Sequence, residues 1–170
     1  VHRLDREASG LMIFAKDERT KQNLQDNWER IVAERTYVAV LDGELEKDRG
    51  VISSWMVDGR LYFAQAAVNN TGEKAVTYYN TIKRANGYSL VELDLGNGRK
   101  EQIRAHMKEL SHPVVGDIKN GDENDPIGRL ALHAFRLCFY HPVTGEPLQF
   151  ETSYPISFRK LVQRISPNEE

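Results

Sequence analysis

The first ten residues of the chain, VHRLDREASG, hold a carboxylate, Asp5, between two arginines, Arg3 and Arg6. Nearby positive charge favours the charged form of a carboxyl group, so we expect Asp5 to be ionised at neutral pH. An ionised carboxylate can act as a nucleophile or a base, or it can form a structural ion pair. The arrangement alone favours the ion pair, because most clusters of Arg and Asp do no chemistry.

Two further polar residues lie on later segments of the chain. Tyr37 is in the segment ERTYVAV, and Arg104 is in the segment GRKEQIRAH. Taken alone, each has a structural explanation, since a strand tyrosine is usually half buried and a helix arginine usually faces solvent. Neither residue by itself indicates catalysis.

The elements that must position these residues can be read from periodicity. Alternating polar and apolar residues, with β-branched and aromatic content, predict strands. The predicted strands span 11–15, 34–41, 50–56, 74–84, 88–95, 130–140 and 147–152. The Asn86-Gly87 dipeptide predicts a hairpin between the fourth and fifth of these strands.

Helices are predicted where apolar residues recur at helical spacing. They span 17–30, with Asp17 as the N-cap, 101–110 and 158–165. The segment 116–128 is rich in Asp, Asn and Gly, which predicts a loop. Strands outnumber helices, so the expected class is α+β, with a mixed, largely antiparallel sheet and flanking helices.

The size and charge of the chain bound its function. A chain of 170 residues fits one domain, 1–170. Its 23 basic and 25 acidic residues give a net charge of −2, and the pI is about 6.3. This balance argues mildly against a nucleic-acid substrate, because proteins that hold phosphates usually have a basic surplus. Basic residues outnumber acidic ones between 83 and 108, which leaves room for a basic face.

Hydropathy and cysteine usage restrict where in the cell the protein is expected to lie. The apolar runs are far shorter than the roughly 20 residues that span a bilayer. Cys138 is the only cysteine, so it forms no internal disulfide and has no metal-ligating partner of its own type. We expect a buried, inert thiol and a soluble protein in a reducing cytoplasm, with no membrane partner.

The opening motif resembles the first diagnostic motif of the RluA-like family of pseudouridine synthases, which reads HRLDR, two variable residues, then Ser-Gly. Other stretches resemble further motifs of that family. They lie at 35–37, where a basic residue and any residue precede Tyr, at 98–106, at 128–134 and at 141–146. The resemblance covers residues 1 to about 160 and implies the catalytic fold of that family. It also implies a fragment that lacks the N-terminal part of the domain.

The resemblance implies specific roles for the three polar residues. Asp5 is the expected catalytic residue, Tyr37 is expected to stack on the target uracil and is a candidate for proton removal, and Arg104 is expected to pair with Asp5. The reaction breaks the bond from ribose C1′ to N1, turns the retained uracil, and joins C1′ to C5. A carboxylate stabilises or bonds an electron-poor sugar of this kind, as in glycoside hydrolysis. No metal and no redox cofactor is required.

Substrate contacts follow from the same comparison. Ile103 and Leu132 are candidates, with Tyr37, for an apolar pocket around the uracil. Enzymes that act on a base in structured RNA flip it out of the stack, and Arg3 is a candidate wedge for the gap. Arg6, Arg99 and Lys100 are expected to contact phosphates. His2 and His106 are expected to make structural hydrogen bonds rather than to act in catalysis.

The expected substrate is large-subunit ribosomal RNA, with transfer RNA next, and we expect a monomer. Two alternatives remain. The chain is an RNA-binding or ribosome-assembly module that keeps the fold without turnover, or it is a carboxylate glycosidase. A glycosidase needs a second catalytic carboxylate, and the motifs show none near Asp5. Two departures from the family pattern are Lys100-Glu101 in place of Thr-His, and a loop at 116–121 that lacks the family's usual Tyr.

Overall fold

The computed structural model describes residues 1–57, 60–62, 72–96 and 101–164. Eight strands occur in these ranges: β1 (Ser9–Gly10), β2 (Val32–Asp42), β3 (Arg49–Val57), β4 (Arg60–Tyr62), β5 (Glu73–Ala85), β6 (Tyr88–Leu95), β7 (Leu132–Tyr140) and β8 (Pro147–Glu151). The helices are α1 (Glu18–Asp26), α2 (Trp28–Ile31), α3 (Gln102–Glu109) and α4 (Ile156–Leu161), and a 3₁₀ turn spans Ile118–Asn120.

The strands form one mixed sheet in the order β1-β7-β2-β6-β5-β3-β4, and β8 also pairs with β7. Within the described ranges β1 and β7 are the only parallel pair, and the other pairs are antiparallel. The α+β class predicted from the sequence, with a largely antiparallel sheet and flanking helices, is therefore confirmed.

Strand β2 lies inside the sheet, between β7 and β6. Its four consecutive residues Val38, Ala39, Val40 and Leu41 are all fully buried, so both faces of the strand are covered. Helix α3 adds Ile103 and Met107 to the same core, and α4 adds Phe158. A second apolar cluster joins Leu24 of α1 and Ile31 of α2 to the β7 residues Leu137 and Phe139. The main core thus ties the segment that carries Arg104 to the sheet.

The hairpin predicted at Asn86-Gly87 is confirmed. Asn86 has φ 59° and Gly87 has φ 79°, while Ala85 pairs with Tyr88 across the turn. Positive φ at both central residues is the type I′ geometry that Asn-Gly favours, because its twist matches that of the flanking strands.

The strand predicted at 11–15 is wrong. Only Ser9–Gly10 enters the ladder, although the Leu11 amide still donates to the Ala134 carbonyl (3.0 Å). Alternate residues of the segment pack into the second apolar cluster while Met12 and Phe14 stay exposed, which produces a strand-like pattern. Its backbone bonds elsewhere, since the Ile13 amide donates to Nε2 of His2 (2.8 Å).

The helix predicted at 17–30 is divided in two. Asp17 is its N-cap as predicted, accepting from the Thr20 amide (2.7 Å). Asn27 ends α1 with a non-helical φ of −115°, and its side chain donates back to the Asn23 carbonyl (3.0 Å). The Asn27 amide donates to the same carbonyl (3.1 Å), so the backbone and the side chain of Asn27 together cap the last turn of α1.

Three other predictions needed adjustment. The closing helix was predicted at 158–165, but α4 begins at Ile156, directly after Pro155, and ends at Leu161. Strand β4 was not predicted, and the predicted loop at 116–128 contains the 3₁₀ turn. In the described part of the chain, no helix combines the length and the apolar character needed to cross a membrane.

Candidate active site

Asp5 lies in a turn just before β1. Its carbonyl accepts a hydrogen bond from the Ala8 amide (2.9 Å), which closes the turn. Its side chain is 14% exposed, so the carboxylate is largely enclosed but keeps some contact with solvent. Nη1 of Arg104 donates to both carboxylate oxygens, at 3.0 Å to Oδ1 and 2.9 Å to Oδ2. The carboxylate is therefore held by a cation 99 residues away in the chain.

Arg104 is almost completely buried, with 1% of its side chain exposed. Besides Asp5 it contacts Asp117, to which Nε donates at 3.0 Å and Nη2 donates as well, and Glu7, whose Oε2 lies 3.0 Å from Nη2. Burial lowers the pKa of Arg104, but its hydrogen bonds to Asp117 and then Asp5 outweigh this and raise the pKa above its ordinary value. Arg104 is a permanent cation shared by carboxylates.

Helix α3 presents Arg104 because its neighbours on the helix are fixed to the sheet. Ile103 and Met107 pack in the main core. Nε2 of Gln102 donates to the Val76 carbonyl (2.9 Å), and the ring of His106 lies between hydroxyls of Ser54 and Thr77, each at 2.8 Å. Burial lowers the pKa of His106 to about 4, so the ring is neutral near pH 7. This agrees with the structural role expected for His106.

Tyr37 lies on β2 opposite Leu93 on one side and Ala134 on the other. It is half-buried and packs against the main core. Burial raises the pKa of its phenol, Arg35 opposes this, and the Asp5 carboxylate adds to it. The Tyr37 hydroxyl is therefore neutral at physiological pH and lies within the electrostatic reach of Asp5.

The remaining predicted site residues fall into three groups. Ile103 and Leu132 are 4% and 3% exposed and belong to the core cluster against which Tyr37 packs, so they form part of a buried apolar wall rather than an open surface. Arg3 and Arg6 are exposed, as a role in contacting RNA requires. Arg99 and Lys100 lie outside the described residues, and the structure does not test their predicted phosphate contacts.

His2 also has a structural place. Its ring stacks on Trp28 with centroids 4.6 Å apart, and Nε2 accepts from the Ile13 amide. Burial is the largest cause that lowers its pKa to about 4, and the charge of Arg35 acts in the same direction. A neutral ring can accept this hydrogen bond, which fits the structural role expected for His2.

Two carboxylates near Asp5 were not anticipated from the sequence. Asp117 and Glu7 share the Arg104 guanidinium with Asp5, a grouping that the motifs do not indicate. The available signals were a Gly-Asp pair in an acidic loop and an acid two residues after Asp5. Neither spacing reveals a contact with α3, because that contact is formed by the fold.

The departure at Glu101 has a local partner. Oε1 of Glu101 lies 2.5 Å from Nζ of Lys119 on the 3₁₀ turn. The hydrogen bond and charge of Glu101 raise the pKa of Lys119. The negative charge of Glu101 is therefore neutralised by Lys119.

The fold thus sets an aspartate, Asp5, against a buried arginine, Arg104, beside a mixed sheet. The sequence model of RNA pseudouridylate synthase matches residues 1–109. The chain belongs to this family, and the resemblance to its RluA-like members is confirmed.

Several characterised and uncharacterised proteins are similar to this chain. It is 35% identical over 163 residues to the uncharacterized RNA pseudouridine synthase YhcT of Bacillus subtilis, a match that covers 95% of this chain and 54% of that protein. It is 36% identical over 167 residues to ribosomal large subunit pseudouridine synthase D of Neisseria meningitidis, covering 91% of this chain and 45% of that one. The chain therefore spans about half the length of the curated relatives that it matches.

A solved structure supports the same fold. The human RNA pseudouridylate synthase domain containing 1 superposes with a TM-score of 0.76 at 25% identity. The superposition covers 99% of this chain and 76% of that chain.

Proposed function

We propose that this chain is the catalytic part of an enzyme that isomerises specific uridines in structured RNA to pseudouridine, with Asp5 as its catalytic residue. The proposal depends on one observation. Arg104 donates hydrogen bonds to both oxygens of the nearly enclosed Asp5 carboxylate, at 3.0 and 2.9 Å. Such a carboxylate is fixed in direction yet reachable from outside, as a nucleophile towards a sugar carbon must be.

The described residues support a division of labour. Asp5 bonds to or stabilises C1′ as the bond to N1 breaks, and the uracil is kept against the ring of Tyr37. The apolar wall that includes Ile103 and Leu132 excludes water from the detached base. After the base turns and C5 joins C1′, any bond between C1′ and Asp5 breaks. C5 then passes its proton to the Tyr37 hydroxyl oxygen, directly or through a water, while the hydroxyl releases its own proton to solvent and N1 takes up a proton from solvent. No redox change occurs, because the product is an isomer of the substrate.

The substrate class is RNA in which the target base is stacked. The base is flipped out of the stack at a cost of a few kcal/mol, Arg3 fills the gap, and Arg6 contacts the backbone phosphates. Large-subunit ribosomal RNA is the first candidate, since the Neisseria relative is named for the ribosomal large subunit, and transfer RNA is the second. Arg99 and Lys100 extend the phosphate contacts. We place the enzyme in the cytoplasm as a monomer that needs no cofactor.

The test is site-resolved pseudouridine mapping. RNA from cells that lack the gene is incubated with the gene's full product, with the 170-residue chain, and with an Asp5→Asn variant of each. We expect new pseudouridine with the unsubstituted proteins, and a loss on the order of 10⁴-fold or more in the variant, because removal of a catalytic nucleophile has effects of this size. Asp48→Asn is the matched control, since Asp48 forms a remote surface ion pair with Arg84 (2.7 Å).

The outcomes separate the proposal from its alternative. Equal yields of pseudouridine with wild type and with Asp5→Asn contradict the proposed function. The absence of any new pseudouridine with both the full gene product and the 170-residue chain also contradicts it. Rescue of every deletion phenotype by Asp5→Asn favours the silent RNA-binding or assembly module instead.

A further inference from the structure

We propose that Asp117 is a positioning residue that orients Arg104 and, through it, the Asp5 carboxylate. Asp117 is fully buried, and its carboxylate contacts the guanidinium of Arg104 rather than solvent. The inference rests on the proposed function for its effect on turnover. Its effect on the placement of Arg104 can be measured without turnover.

The argument begins with how Arg104 distributes its donors. Nε and Nη2 both donate to Oδ1 of Asp117, while Nη1 donates to Asp5. The guanidinium is a rigid plane with five N–H donors in a fixed fork. Two bonds along its Nε and Nη2 edge therefore set the plane and the direction of Nη1. Asp117 fixes one edge of the plane, and Asp5 lies against the other.

Asp117 is also fixed by contacts that do not involve Arg104. Its Oδ2 accepts from Nδ2 of Asn120 (2.8 Å). Its amide donates to the Val114 carbonyl (3.0 Å), and its own carbonyl accepts from the amides of Asn120 (3.0 Å) and Asp122 (3.1 Å). Val114 bridges to Leu41 at the end of β2, so the turn is tied to that strand. The acceptor is thus preorganised by the fold.

Glu7, the third carboxylate that contacts Arg104, is poorly suited to orient the guanidinium. Its side chain is 55% exposed, and it meets the guanidinium at Nη2 alone, at 3.0 Å. Ion pairs with solvent-exposed groups contribute little to stability. Asp117 therefore carries the orientation of Arg104. It also shares the positive charge, which leaves more electron density on Asp5 than an unshared guanidinium would.

Single-turnover kinetics at saturating RNA test the role. For Asp117→Ala we expect the rate of pseudouridine formation to fall about 10²-fold, because a misplacement of about 1 Å has effects of this size. RNA affinity should be unchanged. Asp117→Asn keeps one acceptor oxygen for Arg104, so its rate should lie between those of wild type and Asp117→Ala. If the Asp117→Ala variant does not fold, the rate of Asp117→Asn alone tests the positioning role.

Asp122→Asn is the matched control. Asp122 is also buried, on the same loop, but its Oδ1 accepts from the Asn124 amide (3.1 Å). We expect this variant to keep the wild-type rate. Equal loss of rate in Asp117→Asn and Asp122→Asn, or wild-type rates in both, would show that Asp117 has only a structural role and would overturn the proposal.

A second measurement does not depend on turnover. In ¹⁵N NMR spectra, the Nε–H signal of Arg104 should be protected from exchange with water in wild type and Asp122→Asn. It should be lost in Asp117→Ala and weakened in Asp117→Asn. An unchanged Nε–H signal in the Asp117 variants overturns the positioning role. If Asp5→Asn keeps full activity while the NMR result is as expected, the proposed function fails and the placement of Arg104 by Asp117 stands.

Discussion

At the scale of single residues, Arg104 links the candidate site to the protein interior. A buried guanidinium is costly unless carboxylates pair with it, and removing one partner of a buried pair typically costs about 3–5 kcal/mol. Two carboxylates pair with this guanidinium on opposite edges. Asp117 is fully buried, and Asp5 has 14% of its side chain exposed. The same contacts that stabilise the buried cation also hold the Asp5 carboxylate in one direction.

Tyr37 should act through both its ring and its hydroxyl, and two substitutions separate these roles. Tyr37→Phe keeps the ring and removes the proton acceptor, so we expect the single-turnover rate to fall by about 10²-fold or more with RNA affinity unchanged. Tyr37→Leu also removes the stacking surface, which is worth about 1–3 kcal/mol per base, so RNA affinity should fall as well. Filter-binding and rapid-quench measurements check both. A wild-type rate in Tyr37→Phe would remove the phenol from the mechanism.

At the scale of elements, the short strand β1 fixes where the opening motif lies. Ser9 and Gly10 pair in parallel with His133 and Ala134 of β7. Oγ of Ser9 lies 2.7 Å from Nδ1 of His133 and accepts from Nη2 of Arg129 at 2.8 Å. These contacts hold the chain four residues after Asp5, so errors in β1 pairing should be transmitted to the site.

Substitution of Gly10 tests this coupling. Gly10 has φ 118°, and a Cβ there would lie 2.3 Å from the Ala134 carbonyl oxygen. We therefore expect Gly10→Ala to lower stability by about 2 kcal/mol or more and to lower activity. Gly87→Ala is the control, because Gly87 has φ 79° with open space at its Cβ. It should cost about 1 kcal/mol and keep full activity. Denaturant unfolding and pseudouridine mapping measure both effects.

The contact of α3 with the sheet should depend on pH through His106. Its pKa is about 4 in the folded protein and 6.5 when unperturbed, so the unfolded chain binds a proton first as the pH falls. Above pH 6.5 both states are neutral and His106 adds no pH dependence. Between pH 6.5 and 4 stability should decrease, by up to about 3 kcal/mol from this group.

Chemical denaturation at several pH values measures this slope. His106→Gln should be less stable at neutral pH, yet its stability should change less between pH 6.5 and 4. Ser54→Ala keeps the buried ring and should keep the wild-type slope. A slope that is the same in wild type and His106→Gln would assign the acid sensitivity to other groups.

At the scale of the whole molecule, a net charge of −2 means that the proposed RNA binding must depend on where the cations lie. Arg3 and Arg6 are exposed beside Asp5, whereas Arg104 is buried and Arg136 is paired with Glu34 and Glu151. Phosphate contacts should therefore come from a small number of exposed arginines near the site rather than from the average surface.

The salt dependence of binding tests this distribution. If Arg6 contacts a phosphate, Arg6→Gln should reduce the slope of log affinity against log salt by about 1. Arg159→Gln, an exposed arginine on α4, should leave the slope unchanged. Equal slopes for wild type and Arg6→Gln would exclude the predicted contact.

Much of the architecture was predictable because local periodicity encodes it. The strands around β2, the Asn86-Gly87 turn and helix α3 all follow from patterns within short windows of sequence. The segment 11–15 shows the limit of this approach. Its alternating burial arises from packing against a cluster and not from a hydrogen-bonded ladder, and the same pattern of residues satisfies either arrangement.

The sequence by itself determined the motif around Asp5, the family, and the candidates Tyr37 and Arg104. Only the tertiary structure decided that Asp117 and Glu7 share Arg104 with Asp5, and that Ile103 and Leu132 lie in the core behind Tyr37. The reason is physical. Hydrogen-bond periodicity acts over a few residues, whereas the partners of a buried charge are chosen by which elements pack together, here across 99 and 13 residues of chain.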